Sequence, residues 1–97
     1  MPRFFLTLEA QADFDGIGSY TANRWGLRQA EKYLTDLDDT FHQLAKESGL
    51  GRDRHDLRPE LLAYPCNKHM LFFRRDAVGN VQVLRILHQS MDFERHL

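Results

Sequence analysis

The sequence predicts an α+β fold: one strand, a two-helix hairpin and then a three-stranded antiparallel meander (β-α-α-β-β-β), with both helices packed on one sheet face. Three observations predict it. Apolar residues recur at helical spacing through most of residues 9–48, a glycine interrupts that pattern at Gly26, and strand-like runs fill most of residues 61–88. The length of 97 residues fits a single domain spanning residues 1–97.

The first two predicted elements are a short strand at residues 3–8 and a helix at residues 9–25. The strand, RFFLTL, is rich in apolar and aromatic residues. In the helix, apolar or small residues recur at Ala10, Phe14, Ile17, Gly18, Thr21, Ala22 and Trp25. A glycine in a helix interior costs about 1 kcal/mol relative to alanine. Gly16 and Gly18 therefore weaken this helix, and we expect Gly18, on the apolar stripe, to pack closely against another element.

The second helix, predicted at residues 27–48, has the clearest periodicity in the chain. Its apolar stripe consists of Ala30, Tyr33, Leu34, Leu37, Phe41, Leu44 and Ala45. Gly26 separates the two helices, and Gly49 and Gly51 end the second one. The following stretch, GLGRDRHDLRP (residues 49–59), is predicted to be a charged loop.

The second half of the chain is predicted to form the meander. LLAY and HMLFFRR read as strands joined by a turn at PCNK, and DAVGN supplies the hairpin connection to VQVLRILH, the most strand-like run present. We expect Ile86 and Leu84 in this last strand to pack beneath the helical hairpin.

Composition argues against several classes of function. The net charge of -1 and the acidic second helix lack the basic footprint that grips phosphates, so we expect no direct DNA binding by this chain. No run approaches the roughly 18 apolar residues of a membrane span, and we expect a cytoplasmic protein without membrane association. Five histidines without metal-ligand spacing and one cysteine, Cys66, predict no metal, no cofactor and no internal disulfide.

One group of residues on or beside the last two strands could carry chemistry: Lys68, His69, Arg74, Arg85 and His88. Cations with a histidine are what a metal-independent ribonuclease uses to stabilise charge and move protons. Strand geometry argues against it, because Arg85 and His88 are three residues apart and project to opposite faces of a regular strand unless a bulge intervenes. The alternative is structural: Arg85 pairs with an acidic residue, and His88 marks the strand end.

Four stretches of the chain carry a resemblance to a known family. YTANRWGLRQAEKYL, GLGRDRHDLRP, YPCNKHMLFFRR and VLRILHQSMD, in this order, resemble the ParE toxins of bacterial ParD/ParE type II toxin–antitoxin modules, within the ParE/RelE superfamily. The resemblance covers nearly the whole chain. It implies a non-enzymatic toxin that inhibits DNA gyrase by protein binding, with no catalytic residue, and that a ParD-like antitoxin neutralises.

The other branch of this superfamily, similar to RelE, cleaves messenger RNA on the ribosome, and this metal-independent endoribonuclease is the alternative reading. Those enzymes are usually markedly basic and often have a tyrosine near the C-terminus. This chain is slightly acidic and has no tyrosine after Tyr64, which favours the gyrase branch.

We expect the antitoxin to fold along the helices and the charged loop, by laying down a helix or adding a strand. The predicted antitoxin-binding residues are Tyr20, Tyr33, Leu37, Arg52, Arg54, Arg58 and Glu60. The arginines would match an acidic antitoxin tail, although a merely solvated loop explains each of them equally well.

The C-terminal segment after Gln89 is predicted to be a short docked helix of about two turns with Ser90 as its N-cap. Because it buries little, we expect it to be dispensable for folding and to contribute to the contact with gyrase. The predicted target-binding residues are Arg85, His88, Met91, Asp92 and Phe93. The alternative, that this tail simply caps the core, remains open.

Overall fold

The computed structural model describes residues 2–97 and has the predicted α+β architecture. Its strands and helices, in chain order, are β1 (Phe4–Leu6), α1 (Leu8–Trp25), α2 (Leu27–Lys46), β2 (Arg52–Asp53), β3 (Leu62–Cys66), β4 (His69–Arg75), β5 (Val81–His88) and α3 (Phe93–His96). Both long helices and the antiparallel meander β3-β4-β5 confirm the prediction.

The sheet itself is mixed and has the strand order β1-β5-β4-β3-β2. β1 pairs in parallel with β5, because the helical hairpin and the meander return the chain to the edge where the first strand lies. The two-residue strand β2 pairs with β3 inside the stretch predicted to be a loop. Neither pairing has a signature in the local sequence, since β1 and β5 are far apart along the chain and β2 is only two residues long.

Side-chain hydrogen bonds hold the start of α1 and the end of α2. The Thr7 hydroxyl accepts the Ala10 N–H (3.1 Å) and donates to the Leu84 carbonyl (2.9 Å), which joins the start of α1 to β5. At the far end of α2, the Arg75 guanidinium donates to the carbonyls of Leu44 (2.8 Å), Glu47 (3.1 Å) and Leu50 (2.9 Å). A cation at this position satisfies carbonyls that the helix leaves unpaired.

The main core lies between the helical hairpin and one face of the sheet. Its fully buried large side chains include Leu37, Phe41 and Leu44 from α2, which face Leu71, Phe73, Val81 and Val83 from the sheet. A Cβ atom on Gly18 would lie 2.9 Å from Leu34 Cδ1, which confirms the predicted close packing of the two helices. A Cβ on Gly16 would meet nothing within 4 Å.

A β-bulge in β5 divides its side chains between the two faces. Phe73 pairs with Val83 and Phe72 with Arg85, so Leu84 is the extra residue. Ile86 packs in the main core as predicted, whereas the expectation for Leu84 is wrong: it joins the cluster on the second sheet face. The bulge shifts the side-chain alternation by one position, which the sequence pattern did not show.

The second sheet face carries a smaller cluster that the C-terminal segment covers. Leu61, Ala63, Phe72 and Leu87 form it, and Phe93 and Leu97 pack against it from α3 and the chain end. The Phe72 and Phe93 rings meet edge to face with centroids 4.9 Å apart. Within residues 2–97, no helix combines the length and the apolar character needed to cross a bilayer.

Candidate binding groove

An open groove of about 860 Å³ lies between α1, the first turns of α2 and the C-terminal half of β5. It exists because β1 pairs only with residues 81–83, which leaves the rest of that β5 edge without a neighbouring strand. The residues that line it are Ala12, Asp13, Gly16, Ile17, Tyr20, Thr21, Trp25, Gln29, Tyr33, Lys68, His69, Arg85, Ile86, Leu87, His88 and Met91. Most of this lining is apolar or aromatic.

An ion pair closes one end of the groove. Arg85 donates from Nε (2.8 Å) and Nη2 (3.0 Å) to the two carboxylate oxygens of Asp13, and from Nη1 to the His96 carbonyl (2.7 Å). Asp13 also accepts the Ile86 backbone N–H (2.9 Å), at the unpaired β5 edge. The two charges neutralise each other and join α1, β5 and the C-terminal segment. Hydrogen bonding to Asp13 raises the pKa of the Arg85 guanidinium further.

Two histidines and a tyrosine form a hydrogen-bonded row beside this pair. The Lys68 N–H donates to the Tyr33 hydroxyl (3.2 Å), and that hydroxyl lies 2.6 Å from His69 Nδ1. The His69 and His88 rings meet edge to face at 5.3 Å, and His88 Nδ1 accepts the Ser90 N–H (3.1 Å). Burial, with a smaller contribution from His88, lowers the pKa of His69 from 6.5 to about 4. His69 is therefore neutral near pH 7, and its Nδ1 shares one hydrogen bond with the Tyr33 hydroxyl.

Exposed apolar side chains surround the groove mouth. Tyr20 and Trp25 are 63% and 66% exposed, and Met91 is 37% exposed on the opposite side. Lys68 lines the groove and forms no salt bridge with any residue of the described chain. The groove thus offers an apolar floor and rim with one free positive charge, which suits a peptide segment that carries apolar and acidic residues.

The structure brings together residues that the sequence assigned to two different surfaces. Tyr20 and Tyr33, predicted to bind the antitoxin, line the same groove as Arg85, His88 and Met91, predicted to bind the target. Arg85 and His88 do project to opposite faces of β5, since Arg85 pairs with Phe72 and His88 with His69. Both nevertheless line the groove, because Arg85 reaches Asp13 around the unpaired edge of β5. The alternative that Arg85 pairs with an acidic residue of the helices is confirmed.

The remaining predicted antitoxin residues lie elsewhere. Leu37 is fully buried in the main core, so its predicted contact with an antitoxin is corrected: it supports the helices from beneath. Arg52, Arg58 and Glu60 lie on or beside β2, at the opposite edge of the sheet from β1. Arg54 is already paired with Asp56 through two hydrogen bonds of 3.0 Å, so it is not the free cation that the sequence predicted.

The C-terminal segment also differs from its prediction. The helix α3 begins at Phe93, with Asp92 as its N-cap residue, and Ser90 instead contacts His88. The Asp92 carboxylate lies 3.6 Å from Arg95 Nε at the surface. Phe93 is directed onto the second sheet face. Only Met91 among these residues lines the groove.

Asp13, Gly16 and Trp25 are among the groove residues that sequence reasoning did not assign to a site. Trp25 was predicted as part of the apolar stripe of the first helix, whereas it is exposed beside the turn glycine Gly26. Asp13 had no sequence signal, because one carboxylate on a helix does not reveal its partner in a strand far along the chain. Within residues 2–97, no three His, Cys, Asp or Glu side chains are grouped as metal ligands.

This fold and groove define a small α+β domain with a peptide-sized binding surface. The chain belongs to the family described as the ParE toxin of the type II toxin–antitoxin system parDE, whose model matches residues 4–93. It is 37% identical to Toxin ParE1 of Mycobacterium tuberculosis over 95 residues, which span 98% of this chain and 97% of that protein. It is 35% identical to Toxin ParE of Escherichia coli over 97 residues, which span 100% and 94% of the two chains.

Two solved structures share the fold. A chain of the chromosomal ParDE TA system from P. aeruginosa superposes with a TM-score of 0.76 at 23% identity, covering 91% of this chain and 96% of that one. A chain of the toxin–antitoxin complex RelBE2 from Mycobacterium tuberculosis superposes with a TM-score of 0.69 at 16% identity, covering 92% and 100%. Identities this low establish the architecture alone.

Proposed function

We propose that this toxin inhibits DNA gyrase in the cytoplasm by protein binding, without chemistry, and that a ParD-like antitoxin neutralises it by occupying the groove. The observation that supports binding over catalysis is the state of the groove's charged residues. Arg85 uses three of its five guanidinium N–H groups on Asp13 and the His96 carbonyl, and the Asp13 carboxylate neutralises the charge that would attract a phosphate. His69, with a pKa of about 4, is a neutral imidazole near pH 7, so the imidazolium form that a general acid needs is scarce.

A ribosome-dependent endoribonuclease similar to RelE is the second candidate, and one observation favours it. Lys68, His69, Arg85 and His88 do line a single groove, as a cleavage site would require. For catalysis, however, Arg85 would have to exchange Asp13 for a phosphate, and His88 would have to act as acid and base without His69. The self-neutralised arrangement therefore favours the gyrase proposal.

One pair of assays separates the two candidates. We expect the purified chain to inhibit supercoiling of a relaxed plasmid by gyrase and to leave ribosome-bound messenger RNA intact. Preincubation with the cognate antitoxin should restore supercoiling. Ribosome-stimulated RNA cleavage by the wild-type chain, without an effect on gyrase, would establish the endoribonuclease instead.

The antitoxin proposal is supported by Gly16, which lies on α1 where it faces the groove. A helix-interior glycine costs about 1 kcal/mol, and packing within the chain explains Gly18 but not Gly16. The absent side chain leaves space for a partner segment to approach the α1 backbone closely. An apolar segment resting on Gly16 would lie between Tyr20 and Met91, with its acidic groups near Lys68. The exposed Arg52 and the half-buried Arg58, on the far sheet edge, would hold a more acidic part of the same tail.

Replacing Gly16 by leucine should fill the groove without harming the fold. We expect Gly16→Leu to keep or raise the free energy of unfolding, because leucine is the better helix former and nothing obstructs its Cβ. Antitoxin affinity, measured by calorimetric titration, should fall at least about tenfold, since the leucine side chain occupies the space in which the antitoxin segment would pack.

Gly49→Leu is the matched control, because Gly49 also has open space around its Cβ but lies outside the groove. It should leave affinity unchanged. If Gly16→Leu and wild type bound the antitoxin with equal affinity, the groove would not be part of the antitoxin-binding site. If the double variant Arg52→Glu/Arg58→Glu bound the antitoxin with unchanged affinity in the same titration, the loop would not be part of the antitoxin-binding site.

The target contact is proposed at the groove's outer rim, where His88, Met91 and Asp92 are at least partly exposed. Arg85 and Phe93, predicted from sequence as target-binding residues, are engaged within the chain and would support this rim from inside. An antitoxin segment in the groove would cover Met91 and so compete with the target.

A further inference from the structure

The turn that joins α1 to α2 forms an exposed apolar tip. All seven residues 23–29, which we call the hairpin tip, are exposed. Trp25 and Leu27 retain 66% and 74% of their accessible surface. Gly26, between them, has φ +95° and has nothing within 4 Å of its ideal Cβ position. Because both side chains are largely exposed, Trp25 and Leu27 contribute little to the packing of this chain.

The hairpin tip is also positively charged. Arg24 lies over the Trp25 ring at 5.7 Å from its centroid, and Arg28 follows Leu27 directly. Neither arginine forms a salt bridge with another part of residues 2–97, and the tip contains no acidic residue. An apolar centre with cations at its margin is the composition of an interface anchor for an apolar pocket with an acidic rim.

The shape of the hairpin tip selects the kind of partner. An exposed side chain at a turn contributes the most binding free energy when it enters a preformed pocket. A folded protein has such pockets, and a disordered tail lacks them. A concave groove instead favours a disordered tail, because a tail that folds on binding can fill it. We propose that the hairpin tip inserts Trp25 and Leu27 into an apolar pocket, rimmed by carboxylates, on the folded target protein. This inference rests on the proposed function, in which the toxin acts by binding a protein.

Trp25 connects the hairpin tip to neutralisation, because the same side chain lines the groove. A segment in the groove would cover one side of the indole and prevent its entry into a pocket. Leu27 belongs to the tip but does not line the groove. The two residues therefore separate target binding from antitoxin binding: Trp25 contributes to both, and Leu27 contributes to the target contact alone.

Leu27→Asp tests the proposal, with Leu8→Asp as its matched control. Both leucines are the first residue of a long helix and are highly exposed, and an aspartate is favourable at that position. Leu8 begins α1 and Leu27 lies just past its other end, so the length of α1, about 25 Å at 1.5 Å per residue, separates them. We expect Leu27→Asp to reduce growth arrest and gyrase inhibition at least about tenfold, as loss of an interface anchor does. Its antitoxin affinity should stay within about twofold of wild type, and Leu8→Asp should behave as wild type in every assay.

Several outcomes would overturn the proposal. Full growth arrest by Leu27→Asp removes the hairpin tip from the toxic contact, and a parallel loss of antitoxin affinity assigns it to the antitoxin. Dimerisation of the wild-type chain that Leu27→Asp abolishes, with growth arrest unchanged, assigns it to a second copy. Loss of arrest on Arg28→Glu but not on Leu27→Asp indicates a polyanion instead of a pocket.

A different result would contradict the gyrase proposal without contradicting the hairpin-tip proposal. If the wild-type chain leaves supercoiling unaffected while growth arrest still depends on Leu27, then gyrase is not the target and the hairpin tip contacts another folded protein. A wild-type chain that arrests no growth overturns both proposals.

Discussion

Replacing Arg85 by alanine is expected to lower the free energy of unfolding by about 2–3 kcal/mol, below the range for fully buried pairs because Arg85 and Asp13 remain 24% and 16% exposed. The variant leaves the Asp13 carboxylate without its cation and the His96 carbonyl without its donor. Both groups are partly buried, so water replaces the lost contacts only in part. Urea unfolding of wild type and variant measures the difference directly.

Arg95→Ala is the control for this measurement, because Arg95 also faces a carboxylate but is 82% exposed and 3.6 Å from it. A surface pair of this kind contributes less than about 1 kcal/mol, so its loss should hardly shift the urea midpoint. If Arg85→Ala kept full stability, the ion pair would not be the structural link described here. If it also abolished an RNA cleavage activity of the wild-type chain, Arg85 would be a catalytic residue and the gyrase proposal would be wrong.

Phe93→Ala is expected to lower the free energy of unfolding by about 2 kcal/mol, less than for a fully buried phenylalanine because this side chain is partly exposed. It removes the ring that meets Phe72 at 4.9 Å and uncovers the second sheet face. Its effect on toxicity should follow from lost stability alone, so growth arrest at reduced temperature should recover.

Met91→Asp is the counterpart of Phe93→Ala in the C-terminal segment, because it changes an exposed residue instead of one that packs on the sheet. Met91 is 37% exposed and packs in neither core cluster, so the substitution should change stability by less than about 0.5 kcal/mol. Under the proposed function it should still reduce gyrase inhibition, because an acid replaces an apolar contact at the rim. Undiminished inhibition by Met91→Asp would exclude the C-terminal segment from the toxic contact. Truncation after Gln89 cannot make this distinction, since it also removes Phe93 and the His96 carbonyl.

The long elements could be predicted because their information is local. The stripe from Ala30 to Ala45 repeats every three or four residues, and only a helix places such residues on one face. Likewise, Gly18 on the apolar stripe predicted a close helix contact, and Leu34 provides it. The observed bounds differ by one or two residues where a side chain decides them: Thr7 caps α1 at Leu8, and the carbonyl contacts of Arg75 hold the end of α2.

The groove could not be predicted, because it depends on contacts between residues far apart in the chain. It requires β1 to pair in parallel with β5 and to end at Leu6, so that the β5 edge stays open. It also requires Arg85, which the bulge at Leu84 places opposite Phe72, to reach Asp13 around that open edge. Strand parity placed Arg85 and His88 on opposite faces of β5, but it could not show that Arg85 reaches around the open edge, so that both residues line one groove.

The sequence by itself determined the order of the long helices and of the strands other than β2, the apolar faces that form the main core, and the membership in the ParE toxin family. Each of these follows from residue types and their spacing along the chain. Only the tertiary structure decided which side chains are available to a partner: Leu37 is buried, Arg54 is paired with Asp56, and Trp25 is exposed. The physical reason is that exposure and charge pairing depend on neighbours brought together by folding, and no local pattern records those neighbours.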